Sequence, residues 1–258
     1  GVVLVADTYN SLLRRVNMGS VSTVSGYVLG RDENGHSEVY CMDSTLRESF
    51  LARPYDVIFD ASGNLVFTDM GNHAVKIAID GKLYTLSGGQ GGNQSGYREG
   101  SSQEALYNQP TGLVSDQEHN IYVADTKNHC IRKIDANGNS SLFAGTPGER
   151  GYRDGDGDLA LFNEPFGLDM DKAGNLYVAD ARNQRIRMIA PDGTVSTLAG
   201  TGSQYVEELG LIVGGNVDGP ALEAKFNLPK GVCVVGDVVF VADFYNNAIR
   251  MIRNGRVT

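Results

Sequence analysis

The 258 residues hold no tryptophan, three cysteines and four histidines, and no apolar run approaches the length of a membrane span. Each shortage removes a class of explanation. Cys41, Cys130 and Cys233 cannot all pair with one another and none sits in a CxxC spacing, so neither a disulfide framework nor a redox dithiol organises the chain. Cys130 and Cys233 lie in apolar runs and read as small buried hydrophobes. No GxSxG elbow, phosphate loop or HExxH is present. Basic residues are scattered and the net charge is −9, which argues against nucleic acid as a partner, because a polyanion needs a local basic patch. No signal peptide is visible, but the chain opens on Gly1 and not on Met, so its first residues leave the compartment open.

What is abundant is glycine, at 33 residues, which together with the missing tryptophan suits many short strands joined by tight turns. One unit recurs five times: LVADTYNSLLRRVN (4–17), LVFTDMGNHAVKIAI (65–79), IYVADTKNHCIRKID (121–135), LYVADARNQRIRMIA (176–190) and VFVADFYNNAIRMIR (239–253). Each copy holds a β-branched or aromatic run ending in Asp, an Asn three residues on, and a second apolar run containing a basic residue. That pattern predicts two short strands around a polar turn. The aspartates, Asp7, Asp69, Asp125, Asp180 and Asp243, stand 62, 56, 55 and 63 residues apart. Such intervals are too long for a solenoid coil and fit a propeller blade with a loop insertion.

These residues carry a resemblance. Asn72-His73-Ala74-Val75 and Asn128-His129-Cys130-Ile131 are similar to the Asn-His-Leu core of the NHL repeat, while Asn10-Ser11-Leu12, Asn183-Gln184-Arg185 and Asn246-Asn247-Ala248 depart from the triplet but keep the Asp–Asn spacing. The chain thus resembles a bacterial-type NHL repeat protein along nearly its whole length. The resemblance implies an all-β fold, a β-propeller of four-stranded blades. It implies no single activity, since relatives bind protein, bind RNA or are enzymes.

Proline predicts where each inner strand opens: Pro54, Pro110, Pro165 and Pro229 precede the four innermost strands, as suits a residue without a donor. Blades are expected over about 1–30 (partial), 54–90, 110–146, 165–200 and 229–258 (partial), all in one domain, 1–258. The first blade lacks an inner strand and the last ends on Arg256-Val257-Thr258. We therefore expect a segment of a longer chain whose intact ring has six blades, or five, since an open ring leaves two raw strand edges.

Between blades a second element repeats, GYREGSSQEALYNQP (96–110), GYRDGDGDLALFNEP (151–165) and NVDGPALEAKFNLP (216–229), with a divergent version from Gly35 to Pro54. Ser101-Ser102-Gln103-Glu104 has capping-box spacing and predicts a single helical turn, with Tyr107, Phe162 and Phe226 as anchors between blades. We expect these loops to form the binding face, with Tyr97, Arg98, Tyr152, Arg153 and Asp218 as candidate ligand contacts.

The five aspartates could be a ring of catalytic carboxylates, but five copies at one position suit turn caps better. The basic residue seven further on, Arg14, Lys76, Arg132, Arg187 or Arg250, is expected to pair with a carboxylate in its own or the next blade. Asp154, Asp156 and Asp158 are spaced like the opening of a calcium loop, though the later bidentate Glu is missing, and calcium is the one cofactor the sequence suggests. A zinc enzyme would need histidines converging on the channel; His73 and His129 fall in the turn between second and third strands, His119 in another turn, and His36 in a loop. The resulting expectation is a non-catalytic recognition or scaffold module for a protein or extracellular ligand, in an extracytoplasmic setting: secreted, periplasmic or at the cell surface. A cation-dependent hydrolase or lyase with its site at the central channel is the alternative.

Overall fold

The computed structural model describes residues 1–27, 30, 43–88, 93–206 and 211–258, with backbone alone for 204–206 and 211–213. Cys41, His36 and the opening of the Gly35–Pro54 loop lie outside these residues. The fold is an all-β propeller of five antiparallel blades. The first sheet has three strands, β1 (Val2–Asp7), β2 (Leu12–Asn17) and β3 (Ser20–Ser25). Three four-stranded sheets follow. They are β4 (Pro54–Phe59), β5 (Leu65–Asp69), β6 (Ala74–Ile79) and β7 (Lys82–Ser87); β8 (Pro110–Ser115), β9 (Ile121–Asp125), β10 (Cys130–Ile134) and β11 (Ser140–Ala144); and β12 (Pro165–Met170), β13 (Leu176–Asp180), β14 (Arg185–Ile189) and β15 (Val195–Ala199).

After a hairpin of β16 (Gln204–Val206) and β17 (Leu211–Val213) comes the fifth sheet. Its strands are β18 (Gly219–Pro220), β19 (Pro229–Val235), β20 (Val238–Asp243), β21 (Ala248–Arg253) and β22 (Arg256–Val257), in the order β18-β22-β21-β20-β19. Two residues of the preceding loop, Gly219 and Pro220, pair with the short β22 and add a fifth strand at its edge. All four prolines open the first strand of a sheet as expected. By compactness the chain divides into one unit of Gly1–Val123 with Lys133–Ser141 and another of Ala124–Arg132 with Leu142–Thr258, the boundary passing through the third sheet.

Each blade turns from its second to its third strand through a 3₁₀ turn that closes on a left-handed residue: Ser11, His73, His129, Gln184 or Asn247, with φ between 50° and 58°. A left-handed residue other than glycine costs about 1 kcal/mol, so something must hold it. The Asp–Asn pair does: the Asn amide donates to the Asp carboxylate at 2.7–2.8 Å in all five copies. The other carboxylate oxygen of Asp69, Asp180 and Asp243 accepts the main-chain N–H of Ala52, Asn163 and Asn227, tying each turn to the loop that precedes its own inner strand.

A second left-handed residue precedes each proline, namely Arg53, Gln109, Glu164 and Leu228, with φ of 51–57°. Its N–H is donated to the side chain of the left-handed residue one blade earlier: Ser11 Oγ at 3.3 Å, His73 Nδ1 at 3.0 Å, His129 Nδ1 at 3.1 Å and Gln184 Oε1. The repeated histidine is therefore a neutral acceptor that joins successive blades, and a hydroxyl or an amide serves the same joint.

The apolar core lies between sheets. In the first unit Tyr107 is fully buried between Val66, Val75 and Ile77 of one sheet and Leu113, Ile121 and Val123 of the next. In the second, Phe226 is buried among Ala179, Ile186 and Ala199 on one side and Val239, Val241 and Ile252 on the other. Phe162 is also fully buried. The single turn before Tyr107 forms as its capping box predicts, Ala105 N–H donating to Ser101 O at 2.9 Å while Glu104 reaches back to the Ser101 N–H at 3.2 Å.

Candidate binding site

On three of the third strands the basic residue sits beside a bulge: the register of β2 with β3, of β6 with β7 and of β14 with β15 shifts immediately before Arg14, Lys76 and Arg187. Arg132 is fully buried on Asp125 at 3.2 Å, and Arg187 on Asp180 at 2.7 Å. Arg250 meets Asp243 at 3.0 Å. The pairing is thus within the blade, as one branch of the expectation had it. The other partner is new: the acid of the preceding loop, Asp43 for Lys76 at 2.6 Å, Asp154 for Arg187 at 2.6 Å and Asp218 for Arg250. Burial pushes Asp69 up to about 7 and also raises Asp180. These carboxylates serve turns and ion pairs in every blade.

That arrangement settles where the loop residues go. Asp154 accepts Arg187 Nε at 3.1 Å and Nη2 at 2.6 Å, and its other oxygen takes the Thr197 N–H at 3.2 Å. Asp156 contributes main-chain oxygen to the loop turn, accepting from Leu159 and Ala160. Among the described residues no three His, Cys, Asp or Glu side chains gather as a metal group, and the spacing that suggested calcium does not bring Asp154, Asp156 and Asp158 into one donor set. Arg98 and Arg153 play equivalent parts in their own loops, each Nε donating to the main-chain oxygen six residues on, Glu104 O and Leu159 O. Tyr97 donates to Glu99 at 2.7 Å in the first unit.

Tyr152, in the second unit, stands at a formed pocket. Its hydroxyl meets Thr197 Oγ1 at 2.9 Å, and the Arg185 guanidinium lies 3.7 Å over its ring. Arg185 occupies the position that holds Leu12, Ala74, Cys130 and Ala248 in the other repeats, so only here does a cation replace a small or apolar side chain. Its Nη1 donates to Asn183 O at 3.0 Å and Nη2 to Thr201 O at 2.7 Å, while Nε is buried without a partner. Tyr152, Asp154, Arg185, Thr197, Gly200, Thr201 and Leu222 enclose an open pocket of about 430 Å³. Thr197 and Leu222 also line an adjoining cleft of about 500 Å³ between β15 and the Pro220–Glu223 turn.

Two sequence expectations are corrected. Cys233 is exposed, because the alternation along β19 turns it outward, and partial desolvation of the thiol together with the Asp169 carboxylate raises its pKa; Cys130 is fully buried as expected. The basic residues are also not uniformly scattered. Lys127 and Arg182, equivalent positions two residues after Asp125 and Asp180, converge on Glu164 at 2.7 and 3.4 Å. Burial would raise the Glu164 pKa, but those two cations outweigh it and hold the carboxyl low.

A sequence profile described as SMP-30/Gluconolactonase/LRE-like region matches residues 5–206. NHL repeat-containing protein 2 is 29% identical in Homo sapiens and 30% in Gallus gallus, over 97% of this chain, which spans 37% of either relative's length. Protein SUPPRESSOR OF QUENCHING 1, chloroplastic, of Arabidopsis thaliana is 28% identical over 97% of this chain and 24% of its own length. Among solved structures, an auxiliary nutrient binding protein from Bacteroides ovatus aligns over 97% of this chain and 64% of its own, with TM-score 0.61 and 16% identity. Virginiamycin B lyase from Staphylococcus aureus aligns over the whole of this chain and 65% of its own, with TM-score 0.56 and 14% identity. At such identities these structures share the fold alone. Repeat, blade and profile agree that the chain belongs to the SMP-30/gluconolactonase/LRE-like family and is built of NHL repeats.

Proposed function

We propose that the chain is a recognition module that binds its ligand in the Tyr152–Arg185 pocket and leaves it chemically unchanged. The observation that carries this reading is the chemistry of the pocket. An aromatic ring, a guanidinium with one unspent buried donor, threonine residues and the exposed Leu222 offer contact and hydrogen bonds. Its one carboxylate, Asp154, is committed to Arg187 and Thr197 and so is poorly placed to act as a base. The nutrient-binding neighbour is compatible with this reading through its fold.

The test is a thermal-shift screen against sugars, nucleosides and short peptides, run beside a Tyr152→Ala/Arg185→Leu double variant. Leucine restores the residue that the first repeat holds at this position. The expected binder raises the melting temperature of the parent, has no effect on the variant, and is recovered intact by mass spectrometry. A binder recovered cleaved or isomerised would establish the lyase or hydrolase alternative instead.

A further inference from the structure

The second unit carries another group of cationic side chains, where the inner strands β12 and β19 begin. The residues after the two strand-opening prolines are Phe166 and Lys230, and the Lys230 ammonium lies between two rings, 4.7 Å from the centre of Phe166 and 4.5 Å from that of Phe244. Main chains approach closely here: a Cβ on Gly167 would come within 2.7 Å of Lys230 O, so β12 and β19 hold their first residues side by side. Among the described residues the ammonium has neither a carboxylate within salt-bridge distance nor a hydrogen-bond acceptor.

Its surroundings are cationic within an acidic chain. Arg182 spends only Nε, on Glu164 at 3.4 Å, and its two Nη groups have no partner among the described residues. Glu164 is already shared with Lys127. Asp180 and Asp243, on the same turns, are buried and bound to Arg187 and Arg250. Arg182 sits on Glu164, two residues before the Phe166 ring that the ammonium faces; burial first, and then the charge of Arg182, hold the Lys230 pKa below its ordinary value, while Glu164 pulls it the other way. Phe244 is half exposed beside them.

We infer that Lys230 and Arg182 form a binding site for a compact ligand that carries a phosphate or carboxylate group joined to an apolar or aromatic body. The oxyanion would supply the acceptors that Lys230 Nζ and the Arg182 Nη groups lack, and its charge would relieve their mutual repulsion. The body would lie against Phe244. A long polyanion fits less well, because so few cations make a spot and the chain as a whole is acidic.

Titration calorimetry at low ionic strength with phenyl phosphate, benzoate and benzyl alcohol tests this. One or both anions should bind with one-to-one saturation, their relative affinities identifying the headgroup, and benzyl alcohol should not bind. Lys230→Met keeps the stem on both rings and should weaken the anion about tenfold or more, while Lys230→Arg retains it. Arg185→Leu should leave anion binding unchanged, which separates this site from the Tyr152 pocket. The inference is overturned if neither anion saturates, if Lys230→Met binds as the parent does with an unaltered melting temperature, or if only single-stranded RNA binds.

Discussion

A carboxylate sealed from water is costly unless its charge is answered, and a buried pair that loses one partner costs several kcal/mol. Asp180 and Arg187 are such a pair, fully buried at 2.7 Å, whereas Asp7 and Arg14 stand 3.8 Å apart and are each about 30% exposed. Asp180→Asn should therefore destabilise by about 3 kcal/mol and Asp7→Asn by less than about 1 kcal/mol, read from denaturant midpoints. The histidines make a different prediction. Burial lowers the pKa of His73 and His129, and each Nδ1 accepts a main-chain N–H, so the fold favours neutral imidazole. The unfolded chain takes up its protons near pH 6.5, and stability is complete above that value and falls as pH drops from it towards the lower folded pKa. His73→Gln/His129→Gln copies Gln184, which fills the same role without titrating. The double variant should flatten the stability profile below about pH 6.5, and a parallel profile in both proteins would refute the acceptor role.

At the scale of the element, the aromatic anchor and its neighbours vary together. The Tyr107 hydroxyl bonds Ser87 Oγ at 3.1 Å and Ser140 Oγ at 2.7 Å, all buried. Where Phe226 replaces the tyrosine, the corresponding partners are Ala199 and Val257. Tyr107→Phe alone should cost about 1–3 kcal/mol, because two buried serine hydroxyls each lose the bond to the phenol, and adding Ser87→Ala with Ser140→Val should recover much of it in thermal melts. Strands, turns and anchors were legible in the sequence because each depends on residues within a few positions: alternation, an Asp followed by Asn, a proline before an apolar run. The sites were not. Asp154, Asp156 and Asp158 look like metal ligands along the chain, yet Asp154 belongs to Arg187, 33 residues away. Lys127, Arg182 and Lys230 look isolated because each blade contributes one of them. The only sequence signals were a charged residue in place of a small or apolar one at Arg185 and a lysine following the proline where Phe166 stands in the previous blade.

For the molecule as a whole, a net charge of −9 keeps copies apart at low ionic strength, so any self-association should rise at high salt, where that charge is screened, as sedimentation velocity would report.

The joint between blades has a wider implication. Ser11, His73, His129 and Gln184 present one acceptor to one donor through three chemistries. A connector that tolerates such variety works as a common plug and socket, so a blade can be copied, lost or exchanged in evolution without redesigning its neighbours. Side chains outside the joint are then free to vary, as Arg185 and Lys230 already do relative to their counterparts.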